Sequence, residues 1–247
     1  MRAPTAAELL DAWEIGAHRP VNERALVLLA AACPESSDEE LWELPIGARD
    51  ARLLELRLRL FGQELAIVTA CPACGESLES TARVDDLRQA ESECADPAPV
   101  QQRQIGDLRV TFRLPTSRDL ASVAAERSPA AGRDALLERC IAEVRNAAGE
   151  LLDATALSPR ASELVVEQMA LLDPQADTRL ELTCALCAHR WTAAFDIAAF
   201  LWKEVQAWAQ RTLRDVYRFA RAFGWTERET LALSPMRRQI YMELCRQ

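Results

Sequence analysis

Histidine and lysine are nearly missing from this sequence. Two histidines, His18 and His189, stand among 247 residues, and Lys203 is the one lysine. With so few imidazoles, and with no glycine-rich phosphate loop or nucleophile motif, an enzyme reading finds little to stand on. Long apolar runs are missing too. The longest, Ala25 to Cys33, is nine residues, well short of the roughly 20 a helix needs to cross a bilayer. The stretch from Met1 to Glu8 carries no apolar run ahead of a cleavage site. The expectation is therefore a soluble, cytoplasmic protein without membrane contact.

What is present is acidic charge. The chain holds 29 basic and 38 acidic residues, a net charge of −9. Such a balance repels a phosphate backbone and disfavours general nucleic-acid binding. The charge is uneven. Residues 201–247 carry nine basic and five acidic residues, or +4, which leaves −13 for the remainder.

Cysteine is the informative residue. Eight are present, and four of them form two CxxC pairs, Cys71–Cys74 and Cys184–Cys187, with 109 residues between the inner cysteines. A short strand-like run leads into each pair and another leads out, so each pair sits on the turn of a hairpin. Two such turns supply four thiolates, which close a tetrahedral shell around zinc. A redox CxxC instead opens a helix, whose end lowers the thiol pKa; here strand-like residues follow both pairs. Gly75 follows Cys74 where a left-handed backbone is useful, whereas Ala188 at the equivalent place tolerates it less well. His189 is expected near the metal or on the surface, not in a shell that four cysteines already fill. Cys33, Cys94, Cys140 and Cys245 are scattered, and Cys33 and Cys140 fall in apolar stretches that suit small core residues.

The rest of the chain reads as helices around these hairpins. Capping boxes begin at Thr5, Ser37 and Thr226. Asn22 is the expected cap of a second helix. Leu44 to Gly47 is expected to break the chain, with helix resuming from Asp50 to Phe61. Residues 85–100 end in Asp96-Pro97-Ala98-Pro99 and read as a linker. Gln102 to Leu114, with a Gly106-Asp107 turn, alternates as a hairpin. Helices are expected over 134–148 and 159–172. The helix over 197–223 places Trp202, Val205, Ala209, Val216, Phe219 and Phe223 on one side. Arg211, Arg214, Arg218 and Arg221 fall on the other. The fold class is α+β, mostly helical, with a split four-cysteine zinc ribbon and a further β-hairpin in an inserted lobe. Five segments follow: helical 1–62, first zinc hairpin 63–84, inserted lobe 85–177, second zinc hairpin 178–196, and helical 197–247.

A resemblance then emerges from order and spacing. It is carried by Leu44 to Asp50, Leu58 to Gly62, Cys71-Pro-Ala-Cys-Gly75, Phe112 to Leu120 and Leu172 to Asp177. It continues through Cys184–Cys187 with His189-Arg-Trp191, Phe200-Leu-Trp202, and Gly224-Trp225 to Leu233-Ser-Pro235. Together these resemble the baseplate hub assembly chaperone family of T-even-type contractile phages and related contractile injection systems. The resemblance runs over nearly the whole chain. It implies a small cytoplasmic protein that helps build the baseplate hub and has no catalytic residues. The family's second knuckle usually carries glycine where this chain has Ala188.

The residues and the resemblance together give a non-enzymatic assembly factor with structural Zn²⁺ on Cys71, Cys74, Cys184 and Cys187. Its expected partners are hub or other tail proteins, with no small-molecule substrate. The expected contact region is the carboxy-terminal helical end, with Arg211, Arg214, Arg218, Arg221 and Trp225. Two alternatives stay open: a permanent baseplate component, and a zinc-ribbon nucleic-acid-binding or regulatory protein.

Overall fold

The computed structural model describes residues 1–89, 100–153 and 157–245. The proline-rich end of the expected linker, and Cys94, lie outside the described residues. The chain forms two compact units, one from residues 1–36 with 198–247, the other from residues 37–197.

The first unit is helical. Helices α1 (Ala6–Gly16) and α2 (Val21–Ala32) come from the amino-terminal end; most of α9 (Ile197–Phe223), with α10 (Glu227–Leu231) and α11 (Pro235–Leu244), comes from the other. The box expected at Thr5 is present, with Glu8 bonding back to the cap. Asn22 does not cap α2. Pro20 precedes the first turn and offers no side-chain cap, and its fixed φ suits a helix start. In α9, Leu201, Trp202, Val205, Ala209 and Phe219 are buried, on the apolar side expected from the 3.6-residue period. Phe223, expected on that side, is instead 40% exposed. Arg24 holds one end of this packing. Its guanidinium lies 5.0 Å from the Trp202 ring centroid, and it donates to the Gly16 and Ala17 carbonyls at the end of α1.

The second unit is α+β and carries every element of the expected metal site. Helices α3 (Asp38–Trp42) and α4 (Ile46–Phe61) lead into the antiparallel hairpin β1 (Glu64–Ala70) and β2 (Ser77–Arg83), then α5 (Val84–Leu87). A second hairpin, β7 (Arg179–Thr183) and β8 (Arg190–Ala194), closes the unit. Between them lie β3 (Gln101–Ile105), β4 (Leu108–Phe112), α6 (Ser117–Val123), α7 (Pro129–Cys140), β5 (Ile141–Arg145), β6 (Leu151–Leu152), α8 (Pro159–Leu172) and a 3₁₀ turn, Pro174–Asp177.

The inserted lobe differs from expectation where the linker opens, since Val84–Leu87 form α5, and more widely in its sheet. The hairpin β3–β4 forms as read, but it belongs to a four-stranded antiparallel sheet in the order β3-β4-β5-β6. The helix expected through residue 148 ends at Cys140, and Ile141 to Arg145 pair with β4. The reason is burial: Val144 is 1% exposed in the core formed by Val110, Phe112, Ala161 and Val165. A strand presents alternate side chains to that core, and tertiary packing overrides the weak helical preference of the segment.

The start of α4 also departs from the sequence reading. The expected break is present but shorter: α3 ends at Trp42, Pro45 sits at the cap, and α4 begins at Ile46 rather than Asp50. The Ile46 N–H donates to Pro115 O at 3.1 Å, and Pro45 bridges Thr116. The Gly47 N–H donates to Asp173 Oδ2 at 2.9 Å, across 126 residues of sequence. The acceptor for this helix start comes from a distant part of the chain, so the local sequence does not announce it.

Candidate metal centre

Each CxxC pair sits on a turn whose geometry follows from a few backbone bonds. In the first, the Cys71 N–H donates to Glu76 O at 2.8 Å, and the Gly75 N–H donates to Cys71 O at 2.8 Å. In the second, Cys184 N–H donates to His189 O and Ala188 N–H to Cys184 O, both at 2.9 Å. The two turns are therefore congruent residue for residue. Both need a left-handed residue after the second cysteine: Gly75 has φ 76° and Ala188 φ 57°, the one positive φ among described non-glycine residues. Ala188 thus adopts the strained conformation that the sequence made doubtful for it.

The hairpins bring all four sulfurs together. The four Sγ atoms lie within 4.8 Å of one another. Cys71 and Cys187 are 3.7 Å apart, as are Cys74 and Cys184. A disulfide needs about 2.05 Å, and all four are free thiols. Tetrahedral zinc with Zn–S near 2.3 Å spaces its sulfurs about 3.8 Å apart, so this donor set fits such an ion. Cys71 and Cys184 are buried at 2% and 1%, while Cys74 and Cys187 face outward. His189 is exposed and stacks on Trp191, 5.9 Å between centroids, outside the group that could hold a metal.

Electrostatics points the same way. Burial opposes the Cys71 thiolate, but N–H donors of Cys74 and Ala73 and the nearby thiols bring its pKa down to about 7. The Glu76 N–H favours the Cys74 thiolate, yet burial and the thiols of Cys187, Cys71 and Cys184 push it up to about 12. The His189 N–H favours the Cys187 thiolate, but burial and its neighbours Cys184 and Cys71 leave its pKa raised. Like charges so close suppress one another, and a divalent cation lets all four ionise together.

A second constellation, not singled out as a site by the sequence, surrounds the start of α4. Asp173 is 3% exposed and accepts from Gly47, but its Oδ1 has no partner among the described residues. Burial raises its pKa, opposed by the Gly47 N–H and Arg49. Arg49 is buried, pairs with Asp50 at 2.7 Å and reaches Ser117 Oγ at 3.4 Å. Burial raises Asp50 to about 6 against the pull of Arg49. Gln175, 1% exposed, donates to Leu87 O and Thr178 Oγ1 and accepts from the Gln89 N–H. Nearby in sequence, Asp119 closes a capping box with Thr116 and pairs with Arg113 at 2.5 Å and Arg139 at 3.3 Å. Three of the short segments that carried the resemblance, Leu44–Asp50, Phe112–Leu120 and Leu172–Asp177, thus supply one buried polar network. Their recurrence as motifs was the signal available. Their meeting was not.

The expected contact residues all lie in the first unit. Arg211, Arg214, Arg218 and Arg221 are exposed on α9. Trp225 is half-buried in an aromatic cluster, 4.7 Å from Tyr241, 4.9 Å from Phe223 and 5.7 Å from Phe219 by ring centroid.

Fold and site define the class: an α+β protein with a four-cysteine cluster that can bind a metal ion. Residues 21–202 match the T4 bacteriophage base plate protein family. The chain belongs to that family and is a phage baseplate-related protein. The match ends near the start of α9, so the arginine stripe, α10 and α11 lie beyond it. No curated protein and no solved structure matches the chain significantly. Among the described residues no helix is long and apolar enough to cross a membrane.

Proposed function

We propose that this chain is a non-enzymatic assembly factor, a chaperone for the baseplate hub of a contractile phage tail or a phage-derived contractile injection system. It acts in the cytoplasm, where tails are assembled. Membership of the base plate family over residues 21–202 carries this reading. The ordered motifs from Leu44 to Pro235, similar to the hub assembly chaperones, support the finer assignment.

Structural zinc on Cys71, Cys74, Cys184 and Cys187 organises the protein. When bound, zinc supplies a tetrahedral cross-link, with no open position for a substrate. The chain's own contribution is to present two congruent turns at the right spacing. The contact region for a hub protein is the helical end from Trp202 to Leu244, where arginines can pair with carboxylates.

Co-purification from cells expressing the tail gene cluster, with mass analysis of mature particles, tests the reading. The expected result is a hub protein bound during assembly and this chain missing from finished tails. Normal tails in cells lacking the gene would overturn it. Retention at fixed stoichiometry in finished particles would identify a permanent component instead.

A further inference from the structure

We propose that the groove between the carboxy-terminal half of α9 and α11 docks an acidic, amphipathic helix of a partner protein. This rests on the reading that the helical end meets a tail protein, and it names the chemistry of the segment that enters.

The groove encloses about 450 Å³ and is lined by Tyr217, Arg218, Arg221 and Ala222 from α9, by Met242 from α11 and by Cys245 just past its end. Its floor is apolar and its α9 wall is basic. Tyr217 is 62% exposed, an unusual state for so large a ring at a helix surface,. Arg221 is preset beside it, with its guanidinium 5.9 Å from the ring centroid and Nη1 donating to the Tyr217 hydroxyl at 3.2 Å. Leu213, one turn earlier, is 38% exposed.

The charges give the occupant. Arg211, Arg214, Arg218 and Arg221 recur at steps of three and four, so they share one face of α9 with the groove wall. Elsewhere in this acidic chain, arginines find carboxylates: Arg2 with Glu8, Arg88 with Glu55, Arg118 with Glu43, Arg179 with Asp177. Among the described residues no carboxylate pairs with any of the four on α9. Arg214 Nε bonds the Gln210 carbonyl, and Arg221 bonds Tyr217. Four guanidinium groups without a carboxylate among the described residues, beside an apolar floor, call for a segment with apolar residues flanked by acidic ones. A helix suits the spacing. Glutamates three and four residues apart advance at about 1.5 Å per residue, the same rise that sets the arginines. An extended strand, at about 3.3 Å per residue, would run out of register. A third helix lying against two others is also ordinary packing.

The test uses the full, zinc-loaded chain and a synthetic helix of about four turns with leucines on one face and glutamates beside them. A second peptide carries lysine in place of glutamate. Binding is followed by calorimetry. The glutamate peptide is expected to bind and the lysine peptide not to. Arg218→Glu with Arg221→Glu is expected to weaken binding at least tenfold, since charge-assisted bonds are lost and replaced by repulsion. Ala222→Phe fills the groove without altering charge and is expected to weaken binding about tenfold. Zinc content and thermal midpoint stay unchanged in both variants. Binding indifferent to Ala222→Phe would show a diffuse charge effect and overturn the groove. So would equal binding of the lysine peptide, or no binding of either. Duplex DNA binding abolished by the arginine changes would replace the helix with nucleic acid, and concentration-dependent self-association blocked by Ala222→Phe would replace it with a second copy. Failure here with intact hub co-purification removes the groove alone. Normal tails without the gene remove the chaperone reading alone.

Discussion

At the scale of single residues, Ala188 and Gly47 carry strain and close contact. A non-glycine residue near φ 57° costs about 1–2 kcal/mol, while glycine loses about 0.5–1 kcal/mol more chain entropy. Ala188→Gly is therefore expected to stabilise the zinc-loaded protein by roughly 0.5–1 kcal/mol, read as a rise in thermal midpoint. Gly47 is the opposite case. A Cβ there would stand 1.7 Å from Asp173 Oδ1 and 3.0 Å from the Ala176 nitrogen. Gly47→Ala is expected to cost at least about 2 kcal/mol in denaturant unfolding, by displacing the carboxylate that caps α4. Asp50 makes stability depend on pH. Its folded pKa of about 6 lies above the ordinary 3.8. The contribution of its protonated form is full below about pH 4 and is lost as pH rises through 6. Asp50→Asn is thus expected to gain on the native chain as pH rises from 4 to 8, approaching about 3 kcal/mol. Equal stability curves for the two proteins would refute this. Asp119 has the reverse sign: held down to about 2 because Arg113 and Thr116 outweigh its burial, it stabilises above about pH 4 and loses that contribution as pH falls through 2.

At the scale of elements, the two cysteine hairpins are separate two-stranded sheets with no hydrogen-bonded ladder between them. A lone hairpin is marginal in water. Structural zinc in small peptides contributes about 10–16 kcal/mol of apparent binding energy, large beside ordinary domain stability. Protein prepared without chelator is expected to contain one zinc per chain by elemental analysis. Cys74→Ser or Cys187→Ser is expected to lower zinc affinity sharply and to raise protease cleavage within 71–76 and 184–189. Undiminished zinc content in both variants would place the metal elsewhere.

At the scale of the whole molecule, the chain leaves the first compact unit at residue 36 and returns to it at 198. Everything the four cysteines hold together belongs to the unit in between. The arginine face belongs to the other. Replacing Arg211, Arg214, Arg218 and Arg221 with glutamate is therefore expected to weaken co-purification of hub protein while leaving zinc stoichiometry unchanged. Loss of zinc in that variant would count against a separation of organising site and contact face.

Features that depend on local pattern were legible before folding. The capping boxes at Thr5, Ser37 and Thr226, the bounds of α9 and both cysteine hairpins are set by residues within a few positions of one another. Hydrogen bonds and side-chain periods act at that range. The repeated CxxC turns also announced a cluster of four thiols that could hold one metal ion, because a closed tetrahedral shell takes four donors whatever the fold between them,. Features that depend on distant partners took shape only through packing. Ile141 to Arg145 became a strand because a core waited for Val144. Gly47 entered a helix because Asp173, 126 residues away, supplied the missing acceptor. The arginines of α9 gained an adjoining groove only when α11 folded beside them, since no local pattern fixes which helix faces which.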